Sequence, residues 1–156
     1  MRKYSGCWLA SAAFALDRFT KWMAASKLRG GGPAEIVPGI LRFAYVENTG
    51  AAFGLFGRHT IPLVLFTAAI LIGLVAFLLY RGSMFPSPAR YALWLLAGGA
   101  AGNFADRLFS GYVVDFIELR FITFPVFNIA DCCVSVSVVL LTGWILLHRE
   151  VLPDAR

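Results

Sequence analysis

Charge is what this sequence has least of. Only 15% of its 156 residues are Asp, Glu, Lys or Arg, against about 25% in ordinary soluble domains. So short a chain keeps a large surface for its volume, and a water-soluble fold would have too few charges to cover it. Histidine is nearly absent: the two residues, His59 and His148, stand outside every polar cluster. No serine lies near a histidine and no H-E-x-x-H pair occurs, which removes the hydroxyl nucleophile with an imidazole base and the zinc-helix peptidase. Cysteine is scarce as well. Cys7, Cys132 and Cys133 show no metal-ligand spacing toward either histidine, so buried, inert thiols are expected and no cofactor is. A basic stripe with interleaved aromatics is missing, so the net charge of +5 does not indicate nucleic acid. The scattered Lys and Arg flank apolar runs and suit anionic lipid instead. With no repeat, low-complexity tract or linker, residues 1–156 are expected to form one domain.

What is abundant is hydrocarbon. Hydrophobic residues make up 59% of the chain without counting glycine, and the mean hydropathy is +0.73. A bilayer is the simpler solvent. A membrane helix needs about 20 mostly apolar residues, which predicts four transmembrane spans near 6–25, 61–80, 89–107 and 129–148. The fold class expected is therefore an all-α membrane protein. Arg2 and Lys3 before the first span imitate a signal peptide, but no small-residue cleavage site follows, so the span is kept as a helix of the mature protein. Four spans put both termini on one side. The density of Lys and Arg on the termini and the short second connection places that side in the cytoplasm. The first connection, about 26–60, carries the breaker cluster Gly30-Gly31-Gly32-Pro33, then Pro38-Gly39 and alternating Leu41, Phe43 and Tyr45. It predicts a small β-rich extracytoplasmic platform between helices 1 and 2.

Ionisable groups inside spans are costly and point to function or to an internal ion pair. They fall in four clusters. Asp17 and Lys21 are spaced to pair on one helical face, as a brace. Glu47-Asn48-Thr49-Gly50 and the small residues through Gly54 read as a turn. Gly98 and Gly102 permit close helix contact, and Gly99, Asn103, Asp106 and Arg107 share a face by helical periodicity. Asp115 follows between Val113-Val114 and Phe116-Ile117, an unusual setting for a surface acid. In the last cluster Pro125 stops any earlier helix and Asn128 is a fitting N-cap, which puts Asp131 in a first helical turn. By elimination, carboxylates carry any chemistry. Two close aspartates share one proton; the ionised one activates water and the protonated one polarises a carbonyl.

Leu16 to Lys21, Asn48 to Phe53, Gly98 to Arg107, Val113 to Phe116 and Phe127 to Asp131 resemble, in order, the motifs of bacterial lipoprotein signal peptidase, signal peptidase II. The resemblance covers nearly the whole chain. It implies an aspartic endopeptidase of the inner membrane that acts on diacylglyceryl-modified prolipoproteins and cuts on the amino side of the lipidated cysteine. The catalytic pair maps onto Asp115 and Asp131. Substrate-binding positions map onto Asn48, Gly99, Asn103, Arg107, Asn128 and Ala130; Asp17, Lys21 and Asp106 map onto supporting positions. Asp106, also an intramembrane acid, is the main rival for catalysis, but its neighbour Arg107 is expected to hold it ionised, which suits a brace better than a proton shuttle. Glu47, Cys132 and Cys133 are departures from the pattern. The expected partners are lipidated prolipoproteins and membrane lipids, with no nucleic acid, and the chain is expected to act as a monomer with no metal. An ion-conducting protein and a non-catalytic scaffold are the rival readings of the same intramembrane charges.

Overall fold

A computed structural model of the chain describes residues 4–50 and 60–148. In order they form α1 (Cys7–Leu28), β1 (Ala34–Val37), β2 (Leu41–Asn48), α2 (Thr60–Arg81), a single 3-10 turn (Gly82–Met84), α3 (Ser87–Ser110), β3 (Val113–Leu119) and α4 (Ile129–Leu147). The helix ends follow local chemistry. Pro88 sits in the first turn of α3, where its missing N–H costs little. Gly111 ends α3 in the left-handed region, φ 80°, and its N–H reaches the Arg107 carbonyl at 3.2 Å.

α3 is the central helix and touches α1, α2 and α4. Glycine makes this possible. A Cβ added at Gly98 would lie 2.5 Å from the Ala10 carbonyl of α1, and one at Gly99 would lie 2.7 Å from the Ala130 carbonyl of α4. At Gly102 it would run into the Asp17 carboxylate. The small-residue pair Gly98 and Gly102 therefore faces α1, while Gly99 faces α4. At the far end of α3, buried Arg90 donates to the Ser5 hydroxyl at 2.9 Å and the Phe85 carbonyl at 2.8 Å, tying the start of the described chain to the α2–α3 connection.

Two helical segments, Ile61–Met84 and Ile129–Leu147, are long and apolar enough to cross a membrane. They turn large side chains outward: Phe66 is 66% and Val139 70% exposed. In water such continuous apolar surface would mark an interface. α1 and α3 carry more charge, but Asp17, Lys21, Arg90 and Asp106 are all buried, while Trp8, Phe19 and Trp22 face out.

The sheet is antiparallel in the order β1-β2-β3. The expected strands of the first connection are present, with Gly39 turning at φ 72°. The third strand comes from the α3–α4 connection, so the platform is not built between helices 1 and 2 alone. Its strand propensity was hidden by Asp115 and Glu118, whose partners lie elsewhere in the chain. Arg42 stands opposite Glu118 in the register and binds both its oxygens at 2.7 Å. Glu47 and Asn48, expected in a turn, instead end β2. The Ala51 to Gly54 part of that motif lies outside the described residues, as do Arg2, Lys3, Arg58, His59, Arg149 and Arg156.

The glycine contacts give a paired test. Gly98→Ala is expected to destabilise the fold by about 1–3 kcal/mol through overpacking against α1. Gly143→Ala, in α4 with nothing near its added Cβ, is expected to be neutral or to stabilise by up to about 1 kcal/mol. Thermal midpoints of the two variants in detergent check both directions.

Candidate active site

The polar interior starts at Lys21. Its side chain is 1% exposed, and its ammonium has three oxygens within reach. It ion-pairs with Asp17 at 2.8 Å and with Asp106 at 2.9 Å, and donates to Asn103 Oδ1 at 2.8 Å. Asp106 also pairs with Arg18 and accepts from the Val114 N–H at 3.2 Å. Asp17 accepts from the Ala130 N–H at 3.0 Å. One cation thus joins α1 to α3, β3 and the start of α4. The expected Asp17–Lys21 pair is present. The cations on Asp106 are Arg18 and Lys21 rather than its neighbour Arg107, because successive helical residues point to different sides.

Three asparagines carry this order to Asp115 and Asp131. Asn128 caps α4: its Oδ1 accepts from the Asp131 N–H at 3.0 Å, and Asp131 Oδ2 accepts from the Asn128 N–H at 3.2 Å. The Asn128 amide group then donates to Asp115 Oδ1 at 2.6 Å. Asn103 Oδ1 is taken by Lys21 and by Asn128, so its amide donates to Asp131 Oδ1 at 2.7 Å. Asn48 Oδ1 accepts from the Gly50 N–H at 3.1 Å, which leaves its amide for Asp115 Oδ2 at 2.8 Å. In each asparagine the oxygen is claimed by another donor, so the NH2 faces an acid. Each of the four carboxylate oxygens therefore receives one N–H.

The backbone sets this up. β2 has one extra residue between Phe43 and Val46, so Asn48 stands opposite Val113 and diagonal to Asp115 on the same face. The chain after β3 doubles back, and Phe127 exchanges backbone hydrogen bonds with Ile117 at 2.8 and 3.1 Å. That return brings the cap of α4 beside Asp115.

A cavity of about 600 Å3 opens at the pair, lined by Asn48, Asn103, Arg107, Asp115 and Asp131 and walled by apolar side chains from Phe124 to Phe127. Arg107 donates to the Gly50 carbonyl at 3.3 Å, and its buried Nε has no partner. Gly99 and Ala130, expected in the pocket, are not among the lining residues; they pack α3 against α4. Asn128 is fully buried behind the acids, and Asp17, Lys21 and Asp106 stand a layer deeper. Sequence reasoning missed Cys132, Ser135 and Val136, which line the cavity from α4. Ser135, four residues after Asp131 on the same helical face, was the available signal; Cys132 and Val136 are one turn apart on the adjoining face. Among the described residues no three His, Cys, Asp or Glu side chains gather as a metal-ligand set.

A family model described as Signal peptidase (SPase) II matches residues 9–147. The chain belongs to the signal peptidase II family. Relatives named lipoprotein signal peptidase include one from Symbiobacterium thermophilum, 42% identical over 135 residues, 85% of this chain and 88% of that one. Another, from Clostridium novyi, is 43% identical over 140 residues, 86% and 91% of the two chains. Two solved structures, each described as a bacterial membrane enzyme obtained by the in meso method, are similar with TM-scores of 0.86 and 0.80 at 30% and 31% identity. They align over 97% of this chain and 93% and 94% of theirs. The signal peptidase II resemblance drawn from the five motifs is borne out, and the chain is an enzyme of lipoprotein processing.

In this signal peptidase II chain, burial pushes the Asp115 carboxyl up from 3.8 to about 6, the Asn48 amide opposes that shift, and the nearby Asp131 charge adds to it. The folded chain thus holds this proton more tightly than the unfolded chain. The contribution of Asp115 to stability is greatest at low pH and is lost as pH rises from 3.8 through about 6. The thermal midpoint of the wild type relative to Asp115→Ala is expected to fall across that window and level off above it; a relative midpoint that climbs with pH would contradict the assignment.

Proposed function

We propose that the chain removes signal peptides from diacylglyceryl-modified prolipoproteins by hydrolysis at an Asp115–Asp131 dyad. The observation that carries this reading is that one residue, Asn128, donates to both acids, from its side-chain amide to Asp115 Oδ1 and from its backbone N–H to Asp131 Oδ2, and that both acids line one cavity. Asp115, the member pushed upward, holds the proton, and Asp131 is the base. Asp131 takes a proton from water as the water oxygen attacks the scissile carbonyl carbon. Asp115 gives its proton to the carbonyl oxygen. Collapse of the tetrahedral intermediate breaks the C–N bond on the amino side of the lipidated cysteine; Asp131 gives its proton to the leaving nitrogen and one hydroxyl proton of the intermediate returns to Asp115, which restores the starting dyad. No metal or covalent intermediate is needed.

Asn48, Asn103 and Arg107, which line the cavity, bind or orient the substrate backbone around the pair, Asn128 holds the two acids from behind, Gly99 and Ala130 let α3 and α4 approach closely enough to place it, and Asp17, Lys21 and Asp106 support it from the layer beyond. Arg107, with an unpartnered Nε at the cavity, is suited to a substrate carbonyl. All four helices cross the inner membrane. The amphipathic pair α1 and α3 is supported by charges turned inward and aromatics turned outward. The termini lie in the cytoplasm, and the sheet and the dyad lie near the outer leaflet, where a lipidated cysteine sits with its acyl chains in the bilayer. Irregular backbone from Phe124 to Phe127 fits that depth because it lines the cavity, and Asn128 because it is buried in protein. One chain, residues 1–156, forms a single catalytic domain and acts as a monomer.

Asp115→Asn and Asp131→Asn are each expected to lower cleavage of a purified, lipidated prolipoprotein by at least about 100-fold while leaving a cooperative thermal transition. Turnover near the wild-type rate by either variant removes that residue from the mechanism. Cleavage by the wild type is expected to survive a strong chelator; loss restored by zinc would contradict a metal-free dyad.

A further inference from the structure

A second cleft opens away from the aspartates. Its volume is about 610 Å3, within the roughly 300–1,000 Å3 of clefts that hold small ligands, and it shares no lining residue with the cavity of the dyad. It lies where the C-terminal turns of α1 meet the sheet. Its floor is apolar and firm: Ala24 and Phe116 are buried, and Phe43 stacks edge-on against Phe116 with ring centroids 5.8 Å apart. Ile36 stands at its edge, 48% exposed. The Gly31-Gly32 rim is open, because a Cβ added at Gly32 would meet nothing within 4 Å.

One charged side chain lines this cleft. Lys27, in the last turn of α1, is exposed and has no ion-pair partner among the described residues. We propose that the cleft holds an acyl chain of an anionic phospholipid whose phosphate is bound by Lys27. A cleft lined by apolar side chains, one unpaired cation and no anion complements an acyl chain joined to a net negative headgroup, whereas the cationic group of a zwitterionic headgroup would be repelled by Lys27. α1 ends at Leu28, so the cleft sits where the chain leaves the bilayer, at the depth of lipid phosphates; this placement rests on α1 spanning the membrane. A lysine at the end of a spanning helix can lay its apolar stem along hydrocarbon and reach the headgroup level with its ammonium. Lys27 also suits the negative end of the α1 dipole, but that role needs no cleft and selects no lipid.

The test places a tryptophan in the cleft by Ile36→Trp and compares quenching by brominated phosphatidylglycerol and brominated phosphatidylcholine in nanodiscs, after subtracting the parent protein. Quenching by the anionic lipid is expected to be at least two-fold stronger. Adding Lys27→Gln is expected to remove the difference while cleavage of prolipoprotein continues, since neither residue touches the dyad. Equal quenching by the two lipids with Lys27 in place overturns the proposal. So does an absence of quenching by either, which would mean that a protein segment or a second copy of the chain covers the cleft. Trp8 and Trp22, both exposed on α1, report separately on the bilayer. If they are quenched and the cleft is not, the site alone fails; if they too escape quenching, the spanning reading fails with it.

Discussion

The ammonium of Lys21 is buried among Asp17, Asp106 and Asn103, and the rest of the polar interior is arranged around that charge. Removing a charge from water costs several kcal/mol, and the cost is offset only when good partners surround it. Here the partners come from α1 and α3, and each makes a second bond outward. Asp17 holds the Ala130 N–H of α4. Asp106 holds the Val114 N–H of β3. Asn103, its oxygen committed to Lys21, turns its amide toward Asp131. The position of two distant acids is therefore decided several side chains away from them.

The contacts to Asp115 and Asp131 are made by amides, not by cations, and this difference matters for the proposed chemistry. An adjacent arginine or lysine would favour ionisation of both carboxyls and leave no acid to donate. An amide N–H fixes a carboxyl oxygen in place with a weaker pull on its charge. Burial raises Asp115 to about 6 despite two such bonds, which brings the loss of its proton far closer to neutral pH than in an exposed carboxyl. The full cations are spent on Asp106 and Asp17, in the layer behind. The same division explains why these two buried acids stand in the same interior as the proposed pair and yet do not line the cavity.

Much of this was legible in the chain. The uncharged run from Ile61 to Tyr80 became α2, Asn128 became the cap of α4, and Asp17 and Lys21 paired as their spacing predicted. The five motifs in order led to the signal peptidase II family. What was not legible depended on contacts between distant segments. β3 carries two acids in seven residues, and only the Arg42 partner and the asparagine amides make a strand of it. The β2 bulge that brings Asn48 diagonal to Asp115 has no local signature. Periodicity placed Asp106 and Arg107 on one face, whereas tertiary partners draw them apart, Asp106 into the ion-pair layer and Arg107 to the cavity. The family resemblance puts Gly99 and Ala130 at substrate-binding positions, but gives no sign that the glycine admits the α4 backbone or that the alanine offers its N–H to Asp17.

The claim on which this mechanism stands is that one proton is held between Asp115 and Asp131 in the resting protein. Infrared difference spectroscopy of the purified chain across a pH titration reads it most directly. One protonated-carboxyl band is expected that disappears as pH rises through about 6, is lost when Asp115 is replaced by asparagine, and persists when Asp106 is replaced. A protein whose carboxyls are all ionised below that pH, or whose band survives without Asp115, would contradict it.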